Sequence, residues 1–343
     1  MNYLLKIILK KIKLFISKVA IRTFIQIVKF LITHSGVNIA VTNDVNSKID
    51  GIGAQLQRLL SIVALCDYIE IPFFREEFVD VSVHPLDSFQ DSISKKNFIN
   101  KVNFLFQYNA NFVDLPKSFV TVEVPNLNIY NLFKITLLGI FRQKNILIKT
   151  VEPYAITNHY SDICVNVIKY FPNWNEYVEN LENSVRSDVI YVHFRQGVGG
   201  LVVYPGQKIS REMPLDYYFS KINQIIIKSP GLQKIYIFTD APPEDLRFTP
   251  RNDQKVHWEG TPGFVEGNLY VRGNDLRQSF QSKGLGVEVV SGGDPIEAIA
   301  IMSKASYLII SRSSLSYVAG LLNRSGSIYY PDNFWHPKPS TWY

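Results

Sequence analysis

Apolar and polar residues recur along this chain with two periods, and each period predicts one kind of element. Short runs rich in Val, Ile, Tyr and Phe predict buried strands, and apolar residues spaced three or four apart predict helices. The predicted strands are 37–41, 69–74, 189–194, 234–239, 286–290, 307–311 and 327–330. One predicted helix begins at Ala54, and the others lie near 128–142, 174–184, 214–229, 274–283, 295–305 and 314–323. Because strands alternate with helices, we predict an α/β protein whose sheets are mainly parallel.

The length of 343 residues is enough for two domains of ordinary size. The second half alternates clearly, whereas residues 75–185 are rich in aromatic and asparagine residues and show few clear periods. We therefore predict a helical segment over 1–35, an N-terminal lobe over 36–186 and a C-terminal lobe over 187–343.

The N-terminal segment is basic and contains no acidic residue before Asp44. It carries seven lysines and arginines, and the rest of the chain is close to neutral although the net charge is +6. A nucleic-acid-binding protein should carry a basic patch on its folded domain, so a nucleic-acid-binding function is disfavoured. Lysines interrupt every apolar run before the roughly 18 residues that a spanning helix needs, and they fit a signal peptide poorly. We predict that residues 1–33 form an amphipathic basic segment on an anionic membrane surface; a helix that packs on the protein itself is the alternative.

The two cysteines, Cys66 and Cys164, lie in apolar surroundings and lack the spacing of metal ligands. This usage predicts buried thiols in a reducing compartment. Together with the basic segment, it predicts a cytoplasmic, peripheral membrane protein.

Within the stretch from Asp188 to Gly200, residues 189–194 are predicted to form a buried strand. His193 lies near the end of this strand, and Arg195 follows it at the start of a glycine-rich turn. In an open α/β sheet, ligands bind beyond the carboxyl ends of the strands. The planar fork of Arg195 suits a phosphate or diphosphate, and a structural ion pair at the strand end is the alternative.

Other turns carry further candidate ligands. Residues 50–55 place two glycines before a helix, which favours an anion or sugar site at the helix N-terminus. Asp240 ends the strand 234–239, where it could hold a ribose hydroxyl or a base N–H, or could serve only as a turn residue. Residues 311–316 combine hydroxyls with a strand-to-helix turn, which favours a phosphate. Asp294 and Glu297 have the spacing of a helix cap, which is the structural alternative to a binding role.

Taken in order, these stretches resemble the GT-B fucosyltransferase superfamily, which comprises the α-1,2-, α-1,6- and protein O-fucosyltransferases. Residues 51–57 resemble the early glycine-turn motif, and 193–195 resemble the core of the His-x-Arg motif. Met302 and Ser303, followed by 311–316, resemble the Met-Ser and serine-rich segment of the α-1,2 enzymes. The resemblance covers most of residues 50–335.

The resemblance implies a GT-B-like fold of two Rossmann-like lobes, with the acceptor on the N-terminal lobe and the sugar nucleotide on the C-terminal lobe. It implies an inverting transfer of fucose from GDP-fucose to a hydroxyl of a glycan or lipid-linked saccharide, without a metal ion or other cofactor. Arg195 would neutralise the diphosphate, and His193 would lie near the base or ribose. By the same resemblance, Ser313 and Ser314 would hold the β-phosphate, and Gly51, Gly53 and Gln55 would line the donor–acceptor cleft. Asp240, from its place at a strand end, and Glu297 are the further candidate donor-binding residues.

The chain also departs from the family pattern. Gln196 stands where the second arginine is usual, the acid that usually follows is missing, and Ala298 stands where the guanine-reading acid is usual. Glu297 and Asp294 are the nearby acids that could substitute. Another nucleotide sugar, a non-catalytic glycan- or nucleotide-binding role and a structural role at the membrane therefore stay open. The candidate general bases are Asp50, Asp240, Glu266 and Glu297.

Overall fold

A computed structural model gives the structure of most of the chain. The described residues are 23, 25–44, 50–82, 87–108, 119–127, 129–153, 166–181, 188–195, 213–232, 234–240, 273–282 and 284–343. The chain divides into two compact units, each drawn from several parts of the sequence. The first unit comprises Met1–Lys48, Arg58–Glu77 and Asn109–Val167, and the second comprises Ile49–Gln57, Phe78–Tyr108 and Ile168–Tyr343. The boundary predicted between residues 186 and 187 falls inside the second unit.

The first unit is built on a four-stranded parallel sheet with the order β2-β1-β5-β3. Its strands are β1 (Ile39–Asn43), β2 (Phe73–Phe74), β3 (Phe119–Glu123) and β5 (Asn145–Thr150), and a separate parallel pair joins β4 (Asn126–Leu127) to β6 (Glu152–Pro153). The helices are α1 (25–34), the later part of α2 (Ile52–Ile69) and α4 (Ile129–Arg142). The central strand β1 is buried along its whole length, since it pairs with β2 and β5.

The start of β2 differs from the sequence prediction of a strand over 69–74. Helix α2 continues to Ile69, which is buried. The next residue, Glu70, has a positive φ of 59° and terminates the helix. The amide of Ile71 then donates to the carbonyl of Cys66 at 3.0 Å, so that only Phe73 and Phe74 are left to pair as a strand.

The second unit is built on a five-stranded parallel sheet with the order β11-β10-β7-β8-β9. Its strands are β7 (Val189–Phe194), β8 (Lys234–Thr239), β9 (Gly286–Ser291), β10 (Tyr307–Ile309) and β11 (Ser327–Tyr329). Its helices are α3 (Ser92–Leu105), α5 (Pro172–Asn180), α6 (Leu215–Lys228), α7 (Gly273–Gln281), α8 (Pro295–Ser303) and α9 (Ser314–Leu322), and a 3₁₀ helix, Val167–Tyr170, precedes α5. Every residue of β7 is buried, as expected for a parallel strand that is covered on both faces.

The strand order of this second sheet reverses between β7 and β10. The chain moves from β7 to β8 and β9 on one side, and then returns to place β10 and β11 on the other side. Such a reversal creates a crevice at the carboxyl edge of an open sheet, where ligands bind. Val192 pairs with Ile309, so the residues that follow the two strands emerge side by side at this edge.

The predicted α/β class with parallel sheets is confirmed. The strands 189–194 and 234–239 have the predicted bounds, and the helix near 128–142 is α4. Helix α3 and strand β5 lie in the region where the sequence showed few periods. Cys66 is buried, and burial raises the pKa of its thiol. None of the helices in the described ranges is both long and apolar enough to cross a bilayer.

Candidate functional site

His193 lies at the carboxyl end of β7, on the β10 side of the reversal in strand order. Its Nδ1 is 2.7 Å from Oγ of Ser311, which follows β10. Burial, and after it the positive charge of Arg195, lower the pKa of His193 to about 3. The imidazole is therefore neutral near pH 7, so it can exchange a hydrogen bond with a ligand but supplies no charge to it.

Arg195 follows the last residue of β7 and pairs with Asp240, which follows the last residue of β8. The Nε atom of Arg195 lies 3.2 Å from Oδ2 of Asp240, and both side chains are largely buried. Among the described residues, Nη1 and Nη2 of Arg195 have no hydrogen-bond partner. Asp240 thus holds the Nε side of the guanidinium by an ion pair and leaves the outer donors for an anion.

The turn between β10 and α9 places the hydroxyl of a largely buried serine at a helix N-terminus. Ser313 is the N-cap of α9, is 7% exposed, and makes no side-chain capping hydrogen bond. Its amide donates to the carbonyl of Ser311, and its own carbonyl accepts from the amide of Tyr317. The Ser313 hydroxyl makes no hydrogen bond with another described residue. A ligand at this helix N-terminus would satisfy it.

Ser314, the first residue of α9, contacts a histidine that the sequence analysis missed. Its Oγ lies 2.9 Å from Nε2 of His336. The imidazole stacks on the ring of Tyr317, with centroids 4.5 Å apart and an interplanar angle of 24°. The main-chain oxygen of His336 also accepts a hydrogen bond from the hydroxyl of Tyr330. His336 is therefore held in place to orient the Ser314 hydroxyl.

The glycine turn before α2 lies against the start of α9. A Cβ atom added to Gly53 would stand 2.6 Å from both the backbone nitrogen and Cα of Leu315, whereas one added to Gly51 would meet nothing within 4 Å. Gln55 is buried, and its Nε2 donates to the carbonyls of Asp50 and Asp80 at 2.8 and 2.9 Å. Gly53 thus permits the close approach of two helix N-termini, and the Gln55 amide fixes the turn.

Asp294 and Glu297 lie at the start of α8 and have different surroundings. Oδ1 of Asp294 accepts from the amides of Ile296 and Glu297, and its Oδ2 lies 2.6 Å from Nζ of Lys101 on α3. Asp294 is therefore a helix cap with a second ion-pairing role. The Glu297 side chain is exposed in the first turn of α8.

Two side chains brace the carboxyl ends of β10 and β11. The hydroxyl of Tyr217 lies 3.0 Å from the carbonyl of Ile310 and 3.2 Å from that of Tyr329, and burial raises its pKa well above the usual value. Nε and Nη2 of Arg312 both donate to the main-chain oxygen of Asp332. Of the two arginines at this edge, Arg312 holds the backbone, whereas Arg195 keeps donors for a ligand.

Several predicted residues lie outside the described ranges. They are residues 1–22, Cys164, Gln196, the glycines of 197–200 and Glu266. Within the described ranges, no group of three or more His, Cys, Asp or Glu residues is placed to hold a metal ion.

No protein-family model matches the chain, and no curated protein sequence matches it. Among solved structures, the chain is similar to POFUT1 in complex with GDP, with 10% identity and a TM-score of 0.45 over 89% of this chain and 98% of that one. It is similar to POFUT1 in complex with GDP-fucose, with 9% identity and a TM-score of 0.45 over 90% of this chain and 98% of that one. It is also similar to the E. coli heptosyltransferase WaaC with ADP, with 11% identity and a TM-score of 0.34 over 86% of this chain and 88% of that one. At these values the likeness assigns no substrate and no site residue to this chain.

Proposed function

We propose that this chain is an inverting glycosyltransferase of the GT-B type that binds a nucleotide sugar at the carboxyl edge of the second sheet. GDP-fucose is the proposed donor, and a hydroxyl of a glycan or lipid-linked saccharide is the proposed acceptor. One observation carries the proposal: the Ser313 side chain makes no capping hydrogen bond at the N-terminus of α9, and so leaves its hydroxyl to a ligand on the same sheet edge as Arg195.

The chemistry of this edge suits the leaving group of such a transfer. As the glycosidic bond breaks, its electron pair stays on the nucleotide diphosphate, which gains negative charge. Nη1 and Nη2 of Arg195, the hydroxyls of Ser313 and Ser314 and the free amides of α9 would stabilise that charge. Because Asp240 fixes the Arg195 guanidinium beforehand, little reorganisation is needed as the charge develops.

The neutral His193 is proposed to contact the ribose or the base, and the exposed Glu297 is the proposed base reader. The acceptor hydroxyl attacks the face of the sugar opposite the leaving diphosphate, and its proton passes to a base that we leave unassigned. No metal ion or other cofactor is part of the proposed mechanism, since Arg195 and the helix N-terminus take the role of neutralising the diphosphate.

The placement of the protein is also proposed. Residues 1–33 would hold it at the cytoplasmic surface of an anionic membrane, where lipid-linked acceptors are presented. Binding of the full chain to anionic vesicles tests this part, and replacing Lys10, Lys11 and Lys13 together by Gln should weaken that binding.

Nucleotide binding is tested by thermal denaturation with GDP, UDP, CMP or ADP. A ligand at about a hundred times its dissociation constant stabilises the folded state by about 2.7 kcal/mol. We expect the largest shift with GDP, and we expect Arg195→Gln to abolish it. Arg324→Gln is the matched control, because Arg324 is an exposed arginine of the same unit whose Nη2 donates to Asn175. Arg195→Gln also removes the partner of Asp240, so the ligand-induced shift is compared rather than the melting temperature alone.

Turnover is tested with GDP-fucose and excess EDTA. Release of GDP that survives EDTA and is lost in Arg195→Gln supports the proposal, and a response to UDP instead would change the donor. Nucleotide binding without turnover of any sugar nucleotide, with any glycan acceptor, would favour the non-catalytic binding role. If every nucleotide shifted the melting temperature of Arg195→Gln as much as that of wild type, the proposed nucleotide site would be wrong.

A further inference from the structure

Helix α4 of the first unit carries large apolar residues on its buried side and also on the side that faces solvent. Its buried side packs Leu132, Ile135 and Gly139 against the unit. Its outer side exposes Leu138 and Phe141, and Phe141 is 83% exposed. Leu138 and Phe141 are three residues apart and therefore neighbours on one helix side, and adjacent exposed apolar side chains mark a surface that can bind protein or lipid.

The rim of this outer side is basic. Lys134, Arg142 and Lys144 are all exposed, and no acidic residue occurs between Glu123 and Glu152. Arg142 and Lys144 form no ion pair among the described residues. The surface formed by Leu138, Phe141, Arg142 and Lys144, named here the α4 surface, therefore combines a protruding aromatic ring with two cations that form no ion pair among the described residues.

The α4 surface belongs to the same unit as the basic N-terminal segment. Helix α1 exposes Ile27 and Phe30 on its outer side. Val37, just after α1, approaches the end of α4, because a Cβ atom on Gly139 would lie 3.1 Å from Cγ1 of Val37. Two helices with exposed apolar residues thus converge at one end of the first unit.

We propose that the α4 surface docks on an anionic lipid bilayer, as a second membrane contact beside residues 1–33. Phe141 and Leu138 enter the headgroup region, and Arg142 and Lys144 pair with lipid phosphates. Charge complementarity selects this occupant, since two cations in a chain segment without acidic residues fit an anionic bilayer better than a second copy of the same surface. The inference extends the membrane part of the proposed function and does not depend on the identity of the donor.

The test is flotation of the full chain with phosphatidylcholine vesicles that contain roughly 30 mol% phosphatidylglycerol. Phe141→Ser should lower the partition coefficient about tenfold, since burying a phenylalanine side chain fully is worth a factor of roughly 10 to 100. Arg142→Ala and Lys144→Ala should each lower it about fivefold on these vesicles, and should change little on pure phosphatidylcholine.

Phe104→Ser is the matched control. Phe104 is 62% exposed on α3 of the second unit, and the neighbouring Lys95 and Lys101 are paired with Asp80 and Asp294. This variant should bind vesicles like wild type, and thermal denaturation confirms that both serine variants are folded.

Equal binding by Phe141→Ser and Phe104→Ser would overturn the inference. If the Lys10, Lys11 and Lys13 variant alone lost binding, the N-terminal segment would be the sole membrane contact and the α4 surface would have no such role. A change in the oligomeric state of Phe141→Ser, with vesicle binding unchanged, would assign the surface to a second copy of the chain and would also overturn the inference.

Discussion

Replacing Gly53 by alanine should push the glycine turn away from the start of α9. The added Cβ atom would stand 2.6 Å from the backbone of Leu315, and ordinary contacts begin at 3.4 Å. The two segments must therefore separate by about 0.8 Å, and the obstacle is backbone rather than a side chain that can rotate away.

The expected loss of stability follows from two opposing effects. Overpacking at a site that cannot rearrange costs about 1–3 kcal/mol. Alanine is a better helix former than glycine by at most about 1 kcal/mol, and the gain is smaller in a first turn. We expect a net loss of about 1–2 kcal/mol in the free energy of unfolding, which corresponds to a fall of about 2–8 °C in melting temperature. The nucleotide-induced thermal shift should shrink as well, because Ser313 and Ser314 move with the start of α9.

Gly51→Ala is the control, since a Cβ atom there meets nothing within 4 Å and Gly51 lies two residues away in the same turn. It should leave the melting temperature close to wild type. The reasoning is refuted if Gly53→Ala melts like wild type, or if Gly51→Ala is destabilised as much as Gly53→Ala.

Four further predictions concern the same unit. The pKa of His193 is about 3 in the folded protein and 6.5 ordinarily, so between these values only the unfolded chain takes up the proton. The free energy of unfolding should therefore fall as pH drops below 6.5, by about 1.4 kcal/mol per pH unit, and urea denaturation of His193→Gln should show a shallower fall. His336→Leu removes the partner of the Ser314 hydroxyl and should weaken nucleotide binding about fivefold by titration calorimetry; unchanged affinity would exclude a positioning role. Asp294→Ala should lower the free energy of unfolding by about 1–2 kcal/mol through the lost cap without altering nucleotide affinity. Glu297→Ala should weaken nucleotide binding without lowering the free energy of unfolding. A destabilised Glu297→Ala variant would show that the exposed acid is structural.

Local pattern was enough to predict the elements that carry the site. The apolar run 189–194 is continuous because both faces of β7 are covered, so its bounds follow from composition. The helix cap at Asp294 could also be predicted, because this acid directly precedes Pro295. Its carboxylate accepts hydrogen bonds from amides that are left without partners at the start of the helix. The predictions made for Arg195 and Ser313 as donor-site residues stay predictions, although both residues emerge at the same sheet edge.

Features that depend on distant contacts were not predictable in this way. Strand β5 alternates buried Ile146, Ile148 and Thr150 with less buried residues, but Leu147 between them hides the alternation in the sequence. The assignment of residues 49–57 and 78–108 to the second unit depends on packing that no local period encodes. His336 belongs to no motif, and its only signal was a histidine within an aromatic-rich C-terminal segment.

The C-terminal segment explains how a single hydroxyl at the start of α9 can be held in one orientation. Nε and Nη2 of Arg312 donate hydrogen bonds to the main-chain oxygen of Asp332, and the Tyr330 hydroxyl donates to the main-chain oxygen of His336. The chain between these contacts is thus tied at both ends, so the imidazole of His336 stays on Tyr317 and within reach of Ser314. Arg312 therefore acts one step away from the proposed ligand, by fixing the segment that orients the Ser314 hydroxyl. Arginine is suited to this role because its planar fork can bind one carbonyl oxygen through two donors, which lysine cannot do.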